Sequence, residues 1–225
     1  MAYFNIAVDG PAGAGKSTIA KAIAKKLGFV YVDTGAMYRA MALYFLRRGI
    51  PPEDEEGIKA ACSDVVITIC YQEGSQRVIL NGEDVSGLIR TEEVGNMASA
   101  TSIYLPVREK LVELQQRLAE TADVIMDGRD IGTCVLPGAQ CKVYLTASPQ
   151  VRAKRRYEEL KEKGIACNLE EIEQDIIERD CRDTHREHSP LKQAEDAELV
   201  DSSDMTPEQV VEAIISAARK RGLKA

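Results

Sequence analysis

Residues 3–18 read YFNIAVDGPAGAGKST: a short apolar run, a glycine-rich turn and the start of a helical pattern. The run at 3–8 predicts a buried strand, and Ile19, Ala20, Ile23, Ala24 and Leu27 recur at helical spacing across Lys16–Leu27. Between them, Gly10-Pro11-Ala12-Gly13-Ala14-Gly15-Lys16-Ser17 fits the phosphate-binding pattern GxxxxGK[ST], in the strand–turn–helix context that gives the pattern its meaning. Glycines let backbone N–H groups converge on phosphate oxygens, and the helix N-terminus adds partial positive charge. Lys16 is placed to reach the outer phosphates, and the hydroxyl of Ser17, followed by Thr18, can ligate a magnesium ion.

Reading outward, Phe29–Val32 forms a second apolar run that ends at Asp33-Thr34, followed by a helical stretch from about 36 to 48 closed by Gly49 and Pro51-Pro52. Strand alternating with helix implies a parallel sheet. The middle breaks that rhythm. Val65–Tyr71 and Arg77–Leu80 are rich in β-branched residues and flanked by Gly74-Ser75 and Asn81-Gly82, which predicts an antiparallel insertion over about 50–95. Helices are expected at about 91–102 and 106–120. A strand follows at 123–126, ending in Asp127-Gly128-Arg129-Asp130, and another at 142–145. Ser148 and Pro149 have the chemistry of an N-cap and first helical residue for a basic helix, and a charged helix is expected over 170–186. Leu199-Val200 predicts a last strand, and Thr206-Pro207-Glu208-Gln209 a capping box for the terminal helix. The expected fold is therefore one α/β domain of 225 residues, with core spans of about 1–49 and 96–225, the insertion at about 50–95 and a helical lid at about 148–168.

A net charge of −7 argues against nonspecific binding to nucleic acid, which needs a basic surface to displace counterions. Arginines nevertheless cluster locally, at Arg152, Arg155 and Arg156 and again at Arg179, Arg182 and Arg186, as suits small anionic molecules. No apolar run has the length of a membrane helix, and residues 1–13 lack a basic region leading into a long apolar stretch, so cytoplasmic residence is expected. The six cysteines form no CxxC pair and are expected to be reduced, mostly packing residues. With no exposed apolar stripe evident, a monomer is expected.

The cradle serves switches, motors and kinases alike, so the rest of the chain must decide among them. The guanine-reading NKxD is missing, and the one DxxG, Asp84–Gly87, falls in the insertion. Asp33-Thr34-Gly35-Ala36-Met37-Tyr38-Arg39 follows the second strand, which puts Arg39 one turn into a helix as a candidate phosphate clamp. Asp127 sits where a strand-end carboxylate can hold magnesium through water, with Arg129 able to approach a transferring phosphoryl group. The helix VRAKRRYEELKEKG, residues 151–164, reads either as a salt-bridged exposed face or as a lid whose Arg152 and Arg156 neutralise charge and exclude water. Arg179, Asp183 and Arg186 are spaced to share one helical face.

Taken together, DGPAGAGKST at 9–18, DTGAMYR at 33–39, NGEDVSGLIRTEEV at 81–94, VREKL at 107–111, DGRDIGT at 127–133 and ERDCRDTHR at 178–186 resemble the bacterial cytidylate kinases, over nearly the whole chain. These belong to the P-loop nucleoside monophosphate kinases. The resemblance implies a parallel-sheet core with a monophosphate-binding insertion and a lid. It also implies transfer of the γ-phosphate of ATP to CMP or dCMP in pyrimidine metabolism, with Mg²⁺ held by Ser17 and, through water, by Asp127. It assigns the CMP phosphate to Arg39 and Arg129, the cytosine to Ser99, Arg108, Asp130 and Arg186, and the ribose to Arg179 and Asp183. Thr34 stands where Ser is common, retaining the hydroxyl. In-line transfer without a covalent intermediate is expected, with Lys16, Arg129 and the lid arginines neutralising charge. The rivals are a kinase for UMP, shikimate or a nucleoside, and a nucleotide-sensing or RNA-binding ATPase.

Overall fold

A computed structural model describes residues 3–72 and 74–224. Met1, Ala2, Glu73 and Ala225, which fall within the expected core and insertion spans, lie outside the described residues. In chain order the elements are β1 (Asn5–Asp9), α1 (Lys16–Leu27), β2 (Val30–Asp33), α2 (Thr34–Arg47), α3 (Glu55–Asp64), β3 (Ile67–Gln72), β4 (Ser75–Leu80), β5 (Glu83–Asp84), α4 (Glu92–Thr101), α5 (Leu105–Ala119), β6 (Val124–Gly128), a π-turn (Ile131–Val135), β7 (Cys141–Thr146), α6 (Pro149–Glu162), α7 (Leu169–His185), β8 (Glu198–Asp201) and α8 (Pro207–Lys220). The chain divides into two compact units, one made of the residues up to Tyr31 with those from Ala122 onward, the other Val32–Thr121.

The first unit is built on a sheet of order β2-β6-β1-β7-β8, in which β1 pairs in parallel with β6 and β7, and β7 with β8. As the central strand, β1 is covered on both faces, which is why Ile6, Ala7 and Val8 are all apolar and fully buried. Ile19 and Ile23 of α1 and Val210, Ile214 and Ile215 of α8 bury their stripes in one cluster with Val143 and Leu145 of β7. Each such large side chain stabilises the fold by about 1.5–3 kcal/mol. The local signals act as expected: Ser148 caps α6 by accepting from Val151 N at 3.3 Å. Thr206 and Gln209 form a reciprocal capping box that opens α8. The register sets Val8 beside Asp127 and Asp9 beside Gly128, so the polar strand ends of β1 and β6 emerge together.

The second unit carries the antiparallel sheet β3-β4-β5 against helices. Asn81 and Gly82, both at positive φ (49° and 88°), make the tight turn between β4 and β5. One element here departs from expectation: α3 lies inside the span read as antiparallel. Its buried stripe is only Ile58, Ala61 and Cys62, too short to stand out in the sequence. Asp54 starts it by accepting from Gly57 N at 2.9 Å. Two further expectations are corrected. Arg186 caps α7 in extended conformation (φ −64°, ψ 143°), so it does not continue the helical face of Arg179 and Asp183. Of the cysteines, Cys62 and Cys141 are buried and Cys167 is half-buried, whereas Cys70, Cys134 and Cys181 are exposed, so packing accounts for fewer of them than expected.

Candidate active site

The phosphate loop begins where β1 presses against β7. Gly10 has φ 148°, and a Cβ there would stand 1.9 Å from the Leu145 carbonyl oxygen, so only glycine fits. Gly15, at φ 88°, opens α1 with no side-chain cap and no acidic residue in the first turn. The N–H groups of that turn are thereby left for an anion. Lys16 is buried and donates from Nζ to the Pro11 carbonyl at 2.7 Å. Burial, then the charge of Arg129, push its pKa well below the usual lysine range.

Asp127, at the end of β6, is buried, and its carboxylate is held at both oxygens. Ser17 Oγ donates to Oδ2 at 2.7 Å and the Tyr31 hydroxyl to Oδ1 at 2.8 Å. A serine hydroxyl beside an oriented carboxylate, at the edge of a phosphate loop, supplies the hard oxygen donors that suit magnesium. No cluster of three or more His, Cys, Asp or Glu that could hold a metal occurs among the described residues.

The turn after β6 supplies Arg129 and Asp130. Arg129 donates from Nε to Asp183 on α7 at 2.9 Å. Burial would raise the Asp183 carboxyl, but Arg129, helped by Arg179 and Arg186, holds it below the usual carboxylate range. Arg186 approaches the buried Asp130 at 3.7 Å and donates to the Ser189 carbonyl at 2.6 Å. Asp130, Asp183 and the three arginines thus form one charged cluster within the first unit, although Arg186 joins it from beyond the helix.

Arg152 of α6 is locked in place. It donates to the carbonyls of Ala147 at 2.8 Å and Ala12 at 2.9 Å, and to the Asp180 carboxylate at 2.5 Å, tying α6 to the phosphate loop and to α7. Arg156 is half-exposed and paired with Glu159 at 2.9 Å.

In the second unit, Arg39 donates to the Ile89 and Thr91 carbonyls, each at 3.1 Å. Its guanidinium lies over Gly95 of α4, where a Cβ would come within 2.9 Å of both terminal nitrogens. Thr34 is buried at the start of α2, whose cap, Asp33, accepts from Ala36 N at 2.9 Å and pairs with Arg90 at 2.6 Å. Arg108 is buried on α5, stacked 5.8 Å from the Tyr38 ring centroid, and Ser99 is half-buried on α4. Tyr31, Asp9 and Gly95 carry no motif of their own in the sequence. Asp9 had one visible sign, an acidic residue closing an apolar strand ahead of the loop, and the other two depend on neighbours that only the fold supplies.

A family model described as cytidylate kinase matches residues 6–220. The cytidylate kinase of Caldanaerobacter subterraneus subsp. tengcongensis is 52% identical over 215 residues, covering 96% of this chain and 94% of the relative. The cytidylate kinase of Citrifermentans bemidjiense is 46% identical, covering 96% and 93%. Among solved structures, an uncharacterized protein from Eubacterium ventriosum shares the fold, at TM-score 0.52 and 11% identity over 96% of this chain and 98% of that one. No helix among the described residues is long and apolar enough to cross a membrane.

Proposed function

The chain belongs to the cytidylate kinase family, and we propose that it transfers the γ-phosphate of ATP to CMP or dCMP, giving ADP and CDP or dCDP. The observation that carries this reading is the uncapped, glycine-opened helix start beside buried Lys16 and the Ser17–Asp127 pair, on a chain that matches the family over residues 6–220.

The phosphate loop Gly10–Ser17 with Thr18 holds the ATP phosphates by backbone N–H groups, and Lys16 meets their charge. Ser17, by its hydroxyl, and Asp127, through water, would hold Mg²⁺, which would offset phosphate charge. Arg39 and Arg129 orient the acceptor phosphate; Ser99, Arg108, Asp130 and Arg186 read the cytosine; Thr34, Arg179 and Asp183 serve the sugar and phosphate. Hydrogen bonding to a base edge rejects other bases because unmatched buried polar groups are left unpaired. The acceptor phosphate oxygen is already anionic, so the chain supplies position and charge without a general base. Arg152 and Arg156, on the lid helix at about 148–168, complete the positive surround and exclude water. The core, insertion and lid divisions near residues 50, 95 and 148–168 follow from this reading. So do a monomeric state, cytoplasmic residence and the lack of a nucleic-acid partner.

The test is an ADP-release assay with ATP and Mg²⁺, run separately with CMP, dCMP, UMP, AMP, GMP, shikimate and no acceptor. Turnover confined mainly to CMP and dCMP is expected, and Lys16→Ala, still folded by circular dichroism, should abolish it. ADP release with another acceptor alone would remove the base-reading assignments, and equal release with no acceptor would indicate an ATPase. A Lys16→Ala variant within a few-fold of the parent would overturn the cradle assignment.

A further inference from the structure

Asp9 closes β1 with its side chain 4% exposed, and none of the roles proposed above uses it. Each of its carboxylate oxygens accepts one backbone N–H, Oδ1 from Ile131 and Oδ2 from Gly132, both at 2.7 Å. Those are the first N–H groups of the π-turn, which have no carbonyl of the turn to meet. The residue before a helical turn usually supplies such a cap, and here that residue is Asp130. Its side chain makes no cap bond; it lies beside Arg186 at 3.7 Å. The cap comes instead from 122 residues earlier in the chain, from the strand that feeds the phosphate loop.

Neither end of this contact has room to drift. The residue after Asp9 is Gly10, pinned against the Leu145 carbonyl. At the other end, a Cβ on Gly132 would stand 3.1 Å from Lys142 Cδ and 3.3 Å from Asp9 Oδ2. Because β1 and β6 are adjacent, Asp9 also lies across from Gly128, the residue before Arg129.

From this geometry we infer that Asp9 is a positioning residue: by capping the π-turn from the phosphate loop's own strand, it holds Arg129 and Asp130 in fixed register with the loop. The inference rests on the reading that Arg129 and Asp130 serve the acceptor nucleotide. Holding Asp130 from a distance leaves its carboxylate directed at Arg186, where a locally capping aspartate would be turned back onto its own turn.

Two variants test this from opposite sides. Asp9→Asn keeps the shape but sets an amide NH₂ against one of the two N–H donors, and Gly132→Ala crowds the same contact from the turn. Circular dichroism and the stoichiometry of ADP binding give the folded, competent fraction. In steady-state kinetics, both variants should raise KM for CMP by about tenfold or more and narrow the preference for CMP over UMP, with KM for ATP within about threefold of the parent. Loss of active fraction alone, with both KM values and the base preference unchanged, would make Asp9 a structural residue only and overturn the inference, as would parent-like kinetics in Asp9→Asn. The parent's own turnover of CMP is measured alongside. Its absence overturns both readings, whereas its presence with unshifted variants removes only the role of Asp9.

Discussion

Asp127 is held at one carboxylate oxygen by the Ser17 hydroxyl and at the other by that of Tyr31. Lys16, Ser17 and Asp127 stand at strand ends or helix starts, where apolar runs stop and polar residues must face a cleft. Tyr31 gives no such sign, because its value lies in β2 and β6 being neighbours, which sequence periodicity does not reveal. Its hydroxyl donates to Asp127 Oδ1, whereas Ser17 donates to Oδ2. Tyr31→Phe keeps the ring and removes one hydrogen bond to a carboxylate, an interaction of about 1.5–3 kcal/mol. Turnover at limiting Mg²⁺ is expected to fall roughly 10- to 100-fold, by the same arithmetic. The Mg²⁺ concentration for half-maximal rate should rise, with thermal unfolding near the parent's. An unchanged Mg²⁺ requirement in a magnesium titration would mean that Asp127 is oriented without Tyr31.

Elements were read well where an apolar stripe or a cap is local, as in α1, α6 and α8, whose signals lie within a few residues of one another. The π-turn leaves no mark in the sequence because its cap is remote, and α3 little because its stripe is brief. Within α4, Gly95 is a glycine in a helix interior, where alanine would be favoured by about 0.5–1 kcal/mol. The fold keeps it because Arg39 passes over that position, and a Cβ would stand 2.9 Å from the guanidinium nitrogens. Gly95→Ala therefore separates stability from function. Its melting temperature should match or exceed the parent's, while displacement of the Arg39 guanidinium raises KM for CMP by about tenfold and leaves KM for ATP nearly unchanged. A variant whose KM for CMP stays within about twofold would count against the assignment of Arg39 to the acceptor phosphate.

Across the whole molecule, the alternation of strands and helices announced a parallel core, yet the sheet order β2-β6-β1-β7-β8 could not be read from it. That order is what crowds Asp9, Lys16 and Asp127 together, and it sets the acid–base behaviour of folding. Burial lifts the Asp9 carboxyl from its ordinary 3.8 to about 6, against the pull of the Gly132 and Ile131 N–H groups and of Lys16 and with the push of Asp130. Between about pH 4 and 6 the folded chain therefore keeps a proton that the unfolded chain has released, and stability falls as pH rises through that window. Asp183 works the other way: held below its ordinary 3.8, it contributes stability that is complete above that value and lost as pH falls through the folded one. Urea titrations of the parent, Asp9→Asn and Asp183→Asn from pH 3 to 7 can separate the two. The parent should lose up to about 3 kcal/mol relative to Asp9→Asn between pH 4 and 6, since each pKa unit is worth about 1.4 kcal/mol. Its advantage over Asp183→Asn should hold constant across that window and shrink only below it. A parent that gained on Asp9→Asn as pH rose would mean that Asp9 ionises readily in the fold, with a protonated Lys16 as its counter-ion.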